Sequence, residues 1–240
     1  MSVQADPQRR VGQSAANVLA RELMRLGRSH DGKYRWHRES DPYVLLVAEV
    51  LLRRTTRTVV DRVLPGFLNA FPTVEDLASA AVDEVWDKLR PAGLRQRTAL
   101  LPVMATAIAA IGRVPVDRDA LLSLPGVGPY VADAVRLYAF SEPAFPMDRN
   151  LQRVFYRFFM GHEPRRQDPY RDEVLSGLVG RVTSGRDAGQ LRRLHQGVMA
   201  LAWGRCRPVP SCTSCDLRDT CSHGRGHDDR SHRRTPDSTG

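Results

Sequence analysis

Four cysteines near the end of the chain have the spacing of a metal-binding loop. They are separated by five, two and five residues, and no other cysteine in the 240-residue sequence could form a distant disulfide with them. Structural zinc sites usually use two CxxC pairs separated by a longer stretch, whereas one CxxC pair with an outlying cysteine on each side suits a cubane iron–sulfur cluster. The spacing therefore favours a [4Fe-4S] cluster, with zinc or free thiols as the alternatives. The candidate ligands are Cys206, Cys212, Cys215 and Cys221.

Two carboxylates lie in segments that would strongly affect their ionised form. Asp148, in "MDRN", precedes a helical stripe and suits the N-cap position, where helix amides favour the ionised form. Glu49 lies inside the apolar segment "LLVAEVLL", where burying a carboxylate without a partner is expensive. Arg53, four residues later, is one candidate partner for Glu49. The alternative is that Glu49 faces a binding pocket.

A third motif, "LPGVGPY" at residues 124–130, places two glycines in a turn that runs directly into a helical pattern. The turn residues Gly126, Val127 and Gly128 would leave backbone N–H groups unobstructed, and the following helix would add the positive end of its dipole. Such a hairpin can hold a phosphate group without reading base sequence. Taken alone, the motif is equally compatible with a tight connection between two helices.

The composition indicates a polyanionic partner. The sequence is 42% hydrophobic and 26% charged, with a formal net charge of +9, and basic groups that neutralise phosphates release condensed counterions. Nucleic acid is the partner that we expect. The longest apolar run is broken by Glu49, and no apolar segment follows the N-terminal charges. We therefore expect neither a membrane span nor a signal peptide, and a cytosolic or nucleoid location.

Helical periodicity predicts the fold class. Apolar residues recur at helical spacing over residues 14–27, with Gly27 as a C-terminal signal, from Pro42 to about Val60, and over residues 95–112. No alternating strand pattern of useful length occurs, so the predicted class is all-α. Residues 224–240 are polar and charged, which predicts a disordered tail.

The order and spacing of "LPGVGPY", "MDRN" and the four-cysteine loop resemble the helix-hairpin-helix DNA glycosylase superfamily of endonuclease III and the adenine mismatch glycosylases. The resemblance covers roughly residues 15–223. One departure is that the interval between Cys206 and Cys212 is a residue shorter than is usual in the family. The segment "DPYVLLVAEVLLRRTT" at residues 41–56 and the tyrosine after the hairpin, Tyr130, resemble the thymine-DNA mismatch glycosylase branch.

This resemblance implies an all-helical, two-domain enzyme with a C-terminal [4Fe-4S] cluster loop. A six-helix barrel carrying the helix-hairpin-helix would span residues 30–145. The iron–sulfur cluster domain would combine an N-terminal helix within residues 1–29 with residues 146–223, and the tail at 224–240 would be disordered. Double-stranded DNA would bind with its target nucleotide flipped out of the stack.

The resemblance also implies the catalytic residues. Asp148 would be the catalytic aspartate, because a fixed anion close to C1′ stabilises the positive charge that develops on the deoxyribose. Tyr130 occupies the position at which bifunctional relatives carry a lysine that attacks C1′, and the chain's two lysines, Lys33 and Lys88, lie in no matching motif. Tyr130 would stack against the extruded base or sugar, and β-elimination would be absent or weak. Glu49 would hydrogen-bond the flipped base.

Supporting roles come from the same resemblance. The hairpin turn would contact the DNA backbone. Arg54 and Leu94 match positions at which relatives push side chains into the gap left by the flipped nucleotide. Asn150 would orient Asp148, and Arg153 would support local packing or phosphate contacts.

The predicted function is that of a monofunctional DNA glycosylase of base excision repair. It would act as a monomer on double-stranded DNA containing a mismatched or damaged base, removing thymine or uracil mispaired with guanine and leaving an abasic site. One alternative is an adenine glycosylase acting on A:8-oxoG or A:G mismatches, although such relatives usually carry serine at the position of Tyr130. A non-catalytic DNA-binding module is another alternative. A zinc-stabilised helical adaptor is a third, and it would leave the charge of +9 unexplained.

Overall fold

All regular structure in the described part of the chain is helical, which confirms the predicted all-α class. The computed structural model describes residues 7–30, 39–53, 55–93 and 95–231. Short 3-10 and π turns at residues 90–92, 156–160, 169–171 and 212–214 join some of the helices. The α-helices are α1 (Pro7–His30), α2 (Pro42–Leu52), α3 (Arg57–Ala70), α4 (Val74–Ser79), α5 (Val82–Leu89), α6 (Arg95–Thr98), α7 (Leu100–Ile111), α8 (Arg118–Leu122), α9 (Pro129–Ala139), α10 (Arg149–Phe155), α11 (Glu173–Thr183), α12 (Ala188–Gly204) and α13 (Ser222–Ser231).

The chain divides into two compact units. The central unit, Asp31–Pro146, contains helices α2 to α9. The terminal unit combines Met1–His30 with Met147–Gly240 and contains α1 and α10 to α13. Each unit therefore has its own core, and the two ends of the chain share one of them.

Helices α2 and α9 form the core of the central unit. The two helices pack against each other, and both are buried over most of their length. A helix that is apolar on nearly all sides is expected in such a position. The core therefore surrounds the two helices that carry Glu49 and Tyr130.

Helices α1 and α12 pack at the centre of the terminal unit, and two glycines allow a very close approach. A Cβ atom added at Gly27 would lie 2.1 Å from the carbonyl oxygen of Arg193, and one added at Gly197 would lie 1.9 Å from that of Leu23. Helix α1 continues through Gly27 to His30. The prediction that Gly27 ends the helix is therefore wrong, because this glycine makes room for α12.

Two predicted helices are each interrupted. The helix predicted from Pro42 to about Val60 is α2 followed by α3, because Thr56 adopts an extended backbone and its hydroxyl accepts the N–H of Val59 as an N-cap. The helix predicted over residues 95–112 is α6 followed by α7. Pro102 explains this break, because its ring lacks an N–H and crowds the carbonyl group four residues earlier.

Helix α13 extends into the segment that was predicted to be a disordered tail. Gly224 lies so close to the backbone of Arg218 that an added Cβ would be 2.7 Å from its carbonyl oxygen. The hydroxyl of Ser222 also donates to the carbonyl of Phe159 at 3.3 Å. These contacts anchor the start of the helix despite its polar composition. Residues 232–240 lie outside the described residues.

None of the described helices is both long enough and apolar enough to cross a bilayer.

Candidate active site

Asp148 caps helix α10, as its sequence position predicted. Its backbone is extended, with φ −127° and ψ −178°. One carboxylate oxygen, Oδ1, accepts the N–H of Leu151 at 2.8 Å, and the other, Oδ2, accepts the side-chain amide of Asn150 at 2.6 Å. Both oxygens of this half-buried carboxylate are therefore held by donors from the first turn of its own helix.

Burial dominates the electrostatics of Asp148. Burial raises the pKa of its carboxyl group, while the donors from Leu151 and Asn150 and the positive charge of Arg153 lower it, and the net direction is upward. The sequence pattern indicated only the helix amides, which lower the pKa. The structure adds desolvation, and desolvation outweighs them.

Arg153 links this carboxylate to the cysteine loop. Its Nη2 donates to the side-chain oxygen of Asn150 at 3.2 Å, and its Nε donates to the carbonyl oxygen of Cys206 at 2.8 Å. A third bond reaches the carbonyl of Ala202 at the end of α12, at 3.3 Å. The structure thus connects Asp148, Asn150 and Arg153, which were predicted together, to Cys206 of the separately predicted cysteine loop.

The four cysteines line one pocket of the terminal unit. All four are free thiols of intermediate exposure. Among the described residues, no three His, Cys, Asp or Glu side chains converge as the ligands of a single metal ion do. The four thiols instead surround a shared space, which Arg157 and Arg218 also line.

The thiols influence one another electrostatically. Burial raises the pKa of Cys212, Cys215 and Cys221, and the negative charges of neighbouring cysteines raise it further. Thiolates that disfavour one another in this way are stabilised when they bind a positively charged metal group. The chemistry of the four donors, which line one pocket, is therefore of the kind that binds a metal group through thiolates.

Arg157 shapes the cysteine loop and was not predicted from the sequence. This arginine is 3% exposed. Its Nη1 donates to the carbonyl of Arg207 at 2.6 Å and lies 3.5 Å from the sulfur of Cys206, and its Nη2 donates to the carbonyl of Pro208 at 2.8 Å. The five-residue interval after Cys206 therefore folds around one buried guanidinium group.

The two hairpin glycines have different conformations. Gly126 has φ +82°, which strongly favours glycine. Gly128 is the N-cap of α9 with φ −109° and ψ 177°, which any residue can adopt. Apart from its chain neighbours, the one described atom within 4 Å of an added Cβ at Gly128 is Nη1 of Arg53, at 3.9 Å. Neither backbone conformation nor internal packing therefore requires glycine at position 128.

Arg53 ties the hairpin to the helix that carries Glu49. Its Nη1 donates to the carbonyl oxygen of Gly126 at 3.2 Å. Glu49 is 6% exposed on α2, and Tyr130 is half-buried in the first turn of α9. An ion pair between Arg118 and Asp133, 2.8 Å from Nε to Oδ1, joins α8 to α9 across the hairpin.

A segment that the sequence analysis missed lies beside Asp148. Tyr170 Oη accepts the N–H of Met147, the residue before Asp148, at 3.1 Å. The buried carboxylate of Asp172 accepts bonds from Gln152 and Tyr156 of the following helical segment. A signal was present, because the "DPY" of residues 168–170 repeats the "DPY" of residues 41–43.

The pKa of the Asp172 carboxyl group is shifted in the opposite direction to that of Asp148. Burial pushes its pKa up, but hydrogen bonds from the N–H of Leu175 and from Gln167, Gln152 and Tyr156 lower the pKa below its ordinary value. A carboxylate with that many donors stays ionised and serves the structure.

Two predicted site residues, Arg54 and Leu94, lie outside the described residues. The other predicted residues fall into two groups. In the terminal unit lie Asp148, Asn150, Arg153 and the four cysteines; in the central unit lie Glu49, Gly126, Val127, Gly128 and Tyr130.

Known DNA repair proteins are similar to this chain in sequence. Residues 47–174 match the family described as "HhH-GPD superfamily base excision DNA repair protein". A thymine-DNA glycosylase from Aeropyrum pernix is 36% identical over 190 residues, which are 78% of this chain and 84% of the relative. A thymine/uracil-DNA glycosylase from Pyrobaculum aerophilum is 36% identical over 186 residues, which are 76% of this chain and 80% of that relative.

A solved structure is similar as well. The structure of a thermostable thymine-DNA glycosylase aligns with a TM-score of 0.80 and 28% identity, over 89% of this chain and 98% of that one. The resemblance predicted from the three motifs is therefore confirmed. This chain belongs to the HhH-GPD superfamily of base excision DNA repair proteins.

Proposed function

We propose that the protein is a monofunctional DNA glycosylase that hydrolyses the bond between deoxyribose and a thymine or uracil mispaired with guanine. The observation that carries the proposal is the half-buried carboxylate of Asp148, with both oxygens held at the start of α10. The names of the relatives from Aeropyrum pernix and Pyrobaculum aerophilum support thymine and uracil as the bases removed. Since such mismatches arise in chromosomal DNA, the enzyme would act at the nucleoid, as a monomer.

Asp148 supplies the charge that the reaction needs. As the C1′–N bond breaks, positive charge develops on the deoxyribose, and a fixed carboxylate stabilises that charge without reorganising. The bonds from Leu151 and Asn150 hold the carboxylate in one orientation. Water adds its hydroxyl group to C1′, and a proton reaches the departing base, which leaves an abasic deoxyribose and free thymine or uracil.

Tyr130 limits the reaction to hydrolysis. A phenol cannot form a Schiff base with C1′, so the amine-dependent route to strand cleavage is missing at this position. We assign Tyr130 to stacking against the flipped base or sugar. The enzyme would accordingly release an intact strand that carries an abasic site.

Glu49 would recognise the flipped base. It is buried on α2, at the position that the resemblance assigns to the base pocket. We infer that the base supplies hydrogen-bonding groups to Glu49 and that Glu49 can pass a proton to it as it leaves.

The hairpin would hold the DNA backbone. Gly128 leaves space at the N-terminus of α9, where free amides and the helix dipole favour a phosphate group. Arg53 adds a positive charge at the same turn. We assign Arg54 and Leu94 to the gap left by the flipped nucleotide, on the resemblance alone.

We propose that the four cysteines hold a [4Fe-4S] cluster, with zinc as the alternative. Four thiols around one pocket, in a loop folded on Arg157, support this assignment. Iron–thiolate bonds would cross-link the loop when the cluster is bound. A brown protein with broad visible absorbance would support the cluster, and a colourless protein with one bound zinc would replace it with the alternative.

The test of the proposed function uses end-labelled duplexes that carry T:G, U:G, A:8-oxoG or thymine glycol, each read with and without alkali. We expect strand breaks only after alkali, and only with T:G and U:G. Breaks without alkali would contradict the monofunctional assignment. Product with A:8-oxoG alone would replace the proposal with an adenine glycosylase.

Asp148→Asn should lower the rate of product formation by about a thousandfold or more. The affinity for DNA should stay close to that of the unchanged protein. Asparagine is a good N-cap, so helix α10 should persist. Asp187→Asn is the matched control, because Asp187 caps α12 in the same unit by accepting the N–H of Gln190 at 2.8 Å. A fully active Asp148→Asn enzyme would refute the assignment of the catalytic carboxylate.

A further inference from the structure

A five-residue segment of the terminal unit, Asp168–Asp172, contacts the polypeptide at both ends of helix α10. At the start, Tyr170 Oη accepts the N–H of Met147 at 3.1 Å. Further along, one oxygen of Asp172 accepts Gln152 Nε2 at 2.7 Å and the hydroxyl of Tyr156 at 2.9 Å. The helix that Asp148 caps is therefore held from outside by one short piece of chain.

The segment is itself well ordered by local hydrogen bonds. The side chain of Asp168 accepts the N–H of Tyr170 at 2.9 Å, and its carbonyl oxygen accepts the N–H of Arg171 at 3.0 Å. Pro169 presets the first backbone angle of the turn. At the other end, Asp172 caps α11 by accepting the N–H of Leu175 at 3.0 Å. The turn can therefore act as a rigid support.

The contact to Met147 matters because Asp148 is the next residue in the chain. Asp148 is an N-cap residue, so the direction of its carboxylate depends on how the chain enters the helix. The N–H of Met147 lies in that entry, outside the hydrogen bonds of the helix itself. Tyr170 Oη provides its partner from 23 residues away.

We propose that Tyr170 is a positioning residue for the catalytic carboxylate: its hydroxyl fixes the N–H of Met147, and this fixes the entry of the chain into the helix that Asp148 caps. The inference rests on the proposed function of Asp148. Asp172 assists by holding Gln152 and Tyr156, so that the rest of the helix is fixed relative to the same turn.

Tyr170→Phe removes the hydroxyl and leaves the ring. Tyr43→Phe is a matched control, because Tyr43 lies in the other "DPY" turn, where Asp41 accepts its N–H at 2.8 Å and its own hydroxyl donates to the carbonyl of Phe71 at 2.8 Å. Both variants lose one hydroxyl bond to a distant backbone group. Of the two, only the Tyr170 hydroxyl binds the residue that directly precedes Asp148.

Three quantities are measured for both variants: the Kd for a T:G duplex, the single-turnover rate as a function of pH, and Tm. We expect Tyr170→Phe to lower the single-turnover rate about tenfold with Kd unchanged. We also expect its acid limb to move to higher pH, because a loosened cap weakens the donors from Leu151 and Asn150, while the charge of Arg153 remains. Tyr43→Phe should lower Tm without changing the rate or the acid limb.

Equal rates and equal acid limbs for Tyr170→Phe, Tyr43→Phe and the unchanged protein would overturn the proposal. If the unchanged protein acts on neither T:G nor U:G, the proposed function fails, and a readout without DNA decides the positioning role. That readout is a carbon-13 NMR titration of the Asp148 carboxyl group, identified by its loss in Asp148→Asn. A titration shifted in Tyr170→Phe but not in Tyr43→Phe supports the role, and an unshifted titration overturns it.

Discussion

At the scale of single residues, the properties of Asp148 come from two opposing effects. Burial raises the pKa of its carboxyl group, and the donors from Leu151 and Asn150 lower it. A group that must be ionised to act therefore loses activity as pH falls through its own pKa. The acid limb of the rate profile should lie above that expected for an ordinary aspartate, because the net shift of the pKa is upward.

Asn150→Ala removes one of the donors to this carboxylate. We expect the pKa of Asp148 to rise further, so the acid limb of the single-turnover rate should move to higher pH. The maximal rate should also fall about tenfold, because the carboxylate loses its orientation. The measurement is a pH–rate profile on a T:G duplex.

Asn17→Ala provides the comparison for this experiment. Asn17 is exposed on α1 of the same unit, and the same truncation there should leave the acid limb where it is. An Asn150→Ala profile that coincides with that of Asn17→Ala would mean that Asn150 does not act on Asp148.

At the scale of secondary-structure elements, the hairpin between α8 and α9 shows that two glycines in one motif do different things. The helices are joined by the ion pair of Arg118 with Asp133, and Gly126 makes the turn with its positive φ. Gly128 leaves open space at the start of α9. Gly126 is therefore needed to form the turn, and we assign Gly128 to the contact with the DNA backbone.

Gly128→Ala and Gly126→Ala separate these roles. Gly128→Ala should change the free energy of unfolding by no more than about 1 kcal/mol, yet weaken DNA binding at least tenfold because the methyl group would meet the phosphate. Gly126→Ala should lower the free energy of unfolding by about 1–2 kcal/mol, since alanine is strained at this φ. Urea unfolding and the Kd for duplex DNA are the two measurements.

The same two variants can also contradict the assignment of Gly128 to DNA binding. If Gly128→Ala binds DNA as tightly as the unchanged protein, the hairpin does not bring its α9 amides to a phosphate group. The motif would then be a tight helix connection, which the sequence pattern alone also allows.

The two Asp-Pro-Tyr turns, at residues 41–43 and 168–170, are a second feature at the scale of secondary-structure elements. In both copies the aspartate accepts the N–H of the tyrosine two residues later, and the tyrosine hydroxyl bonds a distant backbone group. One copy starts α2, and the other precedes α11. The same local sequence therefore builds the same turn in two units, while the distant partner differs.

At the scale of the whole molecule, segments far apart in the chain pack together, because α1 contacts α12 within the terminal unit. This contact depends on Gly27 and Gly197, each of which leaves no room for a side chain. Helix α12 also packs against α10, which Asp148 caps. The position of the proposed catalytic helix therefore depends on residues near the start of the chain.

Gly197→Ala should lower the free energy of unfolding by about 1–3 kcal/mol, because the added methyl group must push α1 away from α12. Gly177→Ala is the matched control on α11, since, apart from its chain neighbours and the backbone of its own helix, no atom of the described chain lies within 4 Å of an added Cβ there. That variant should be more stable by about 0.5–1 kcal/mol. Urea unfolding followed by circular dichroism measures both, and equal stabilities would show that the helices do not approach so closely.

Local sequence patterns determined much about this protein. The helical class, the N-cap role of Asp148, the glycine hairpin and the cysteine spacing are all set by residues a few positions apart, so they can be read without knowing the path of the chain. The same motifs were enough to predict the family. The roles that the family implies for Glu49 and Tyr130 remain predictions.

Only the tertiary structure decided which distant groups meet. It joined Tyr170 to Met147, Arg153 to the carbonyl of Cys206 and Gly197 to Leu23, and it ordered a polar segment as α13 because Gly224 packs against Arg218. It also decided that the pKa of Asp148 is raised. The physical reason is the same in each case: burial and contacts between segments depend on how the whole chain packs, and no local pattern contains that information.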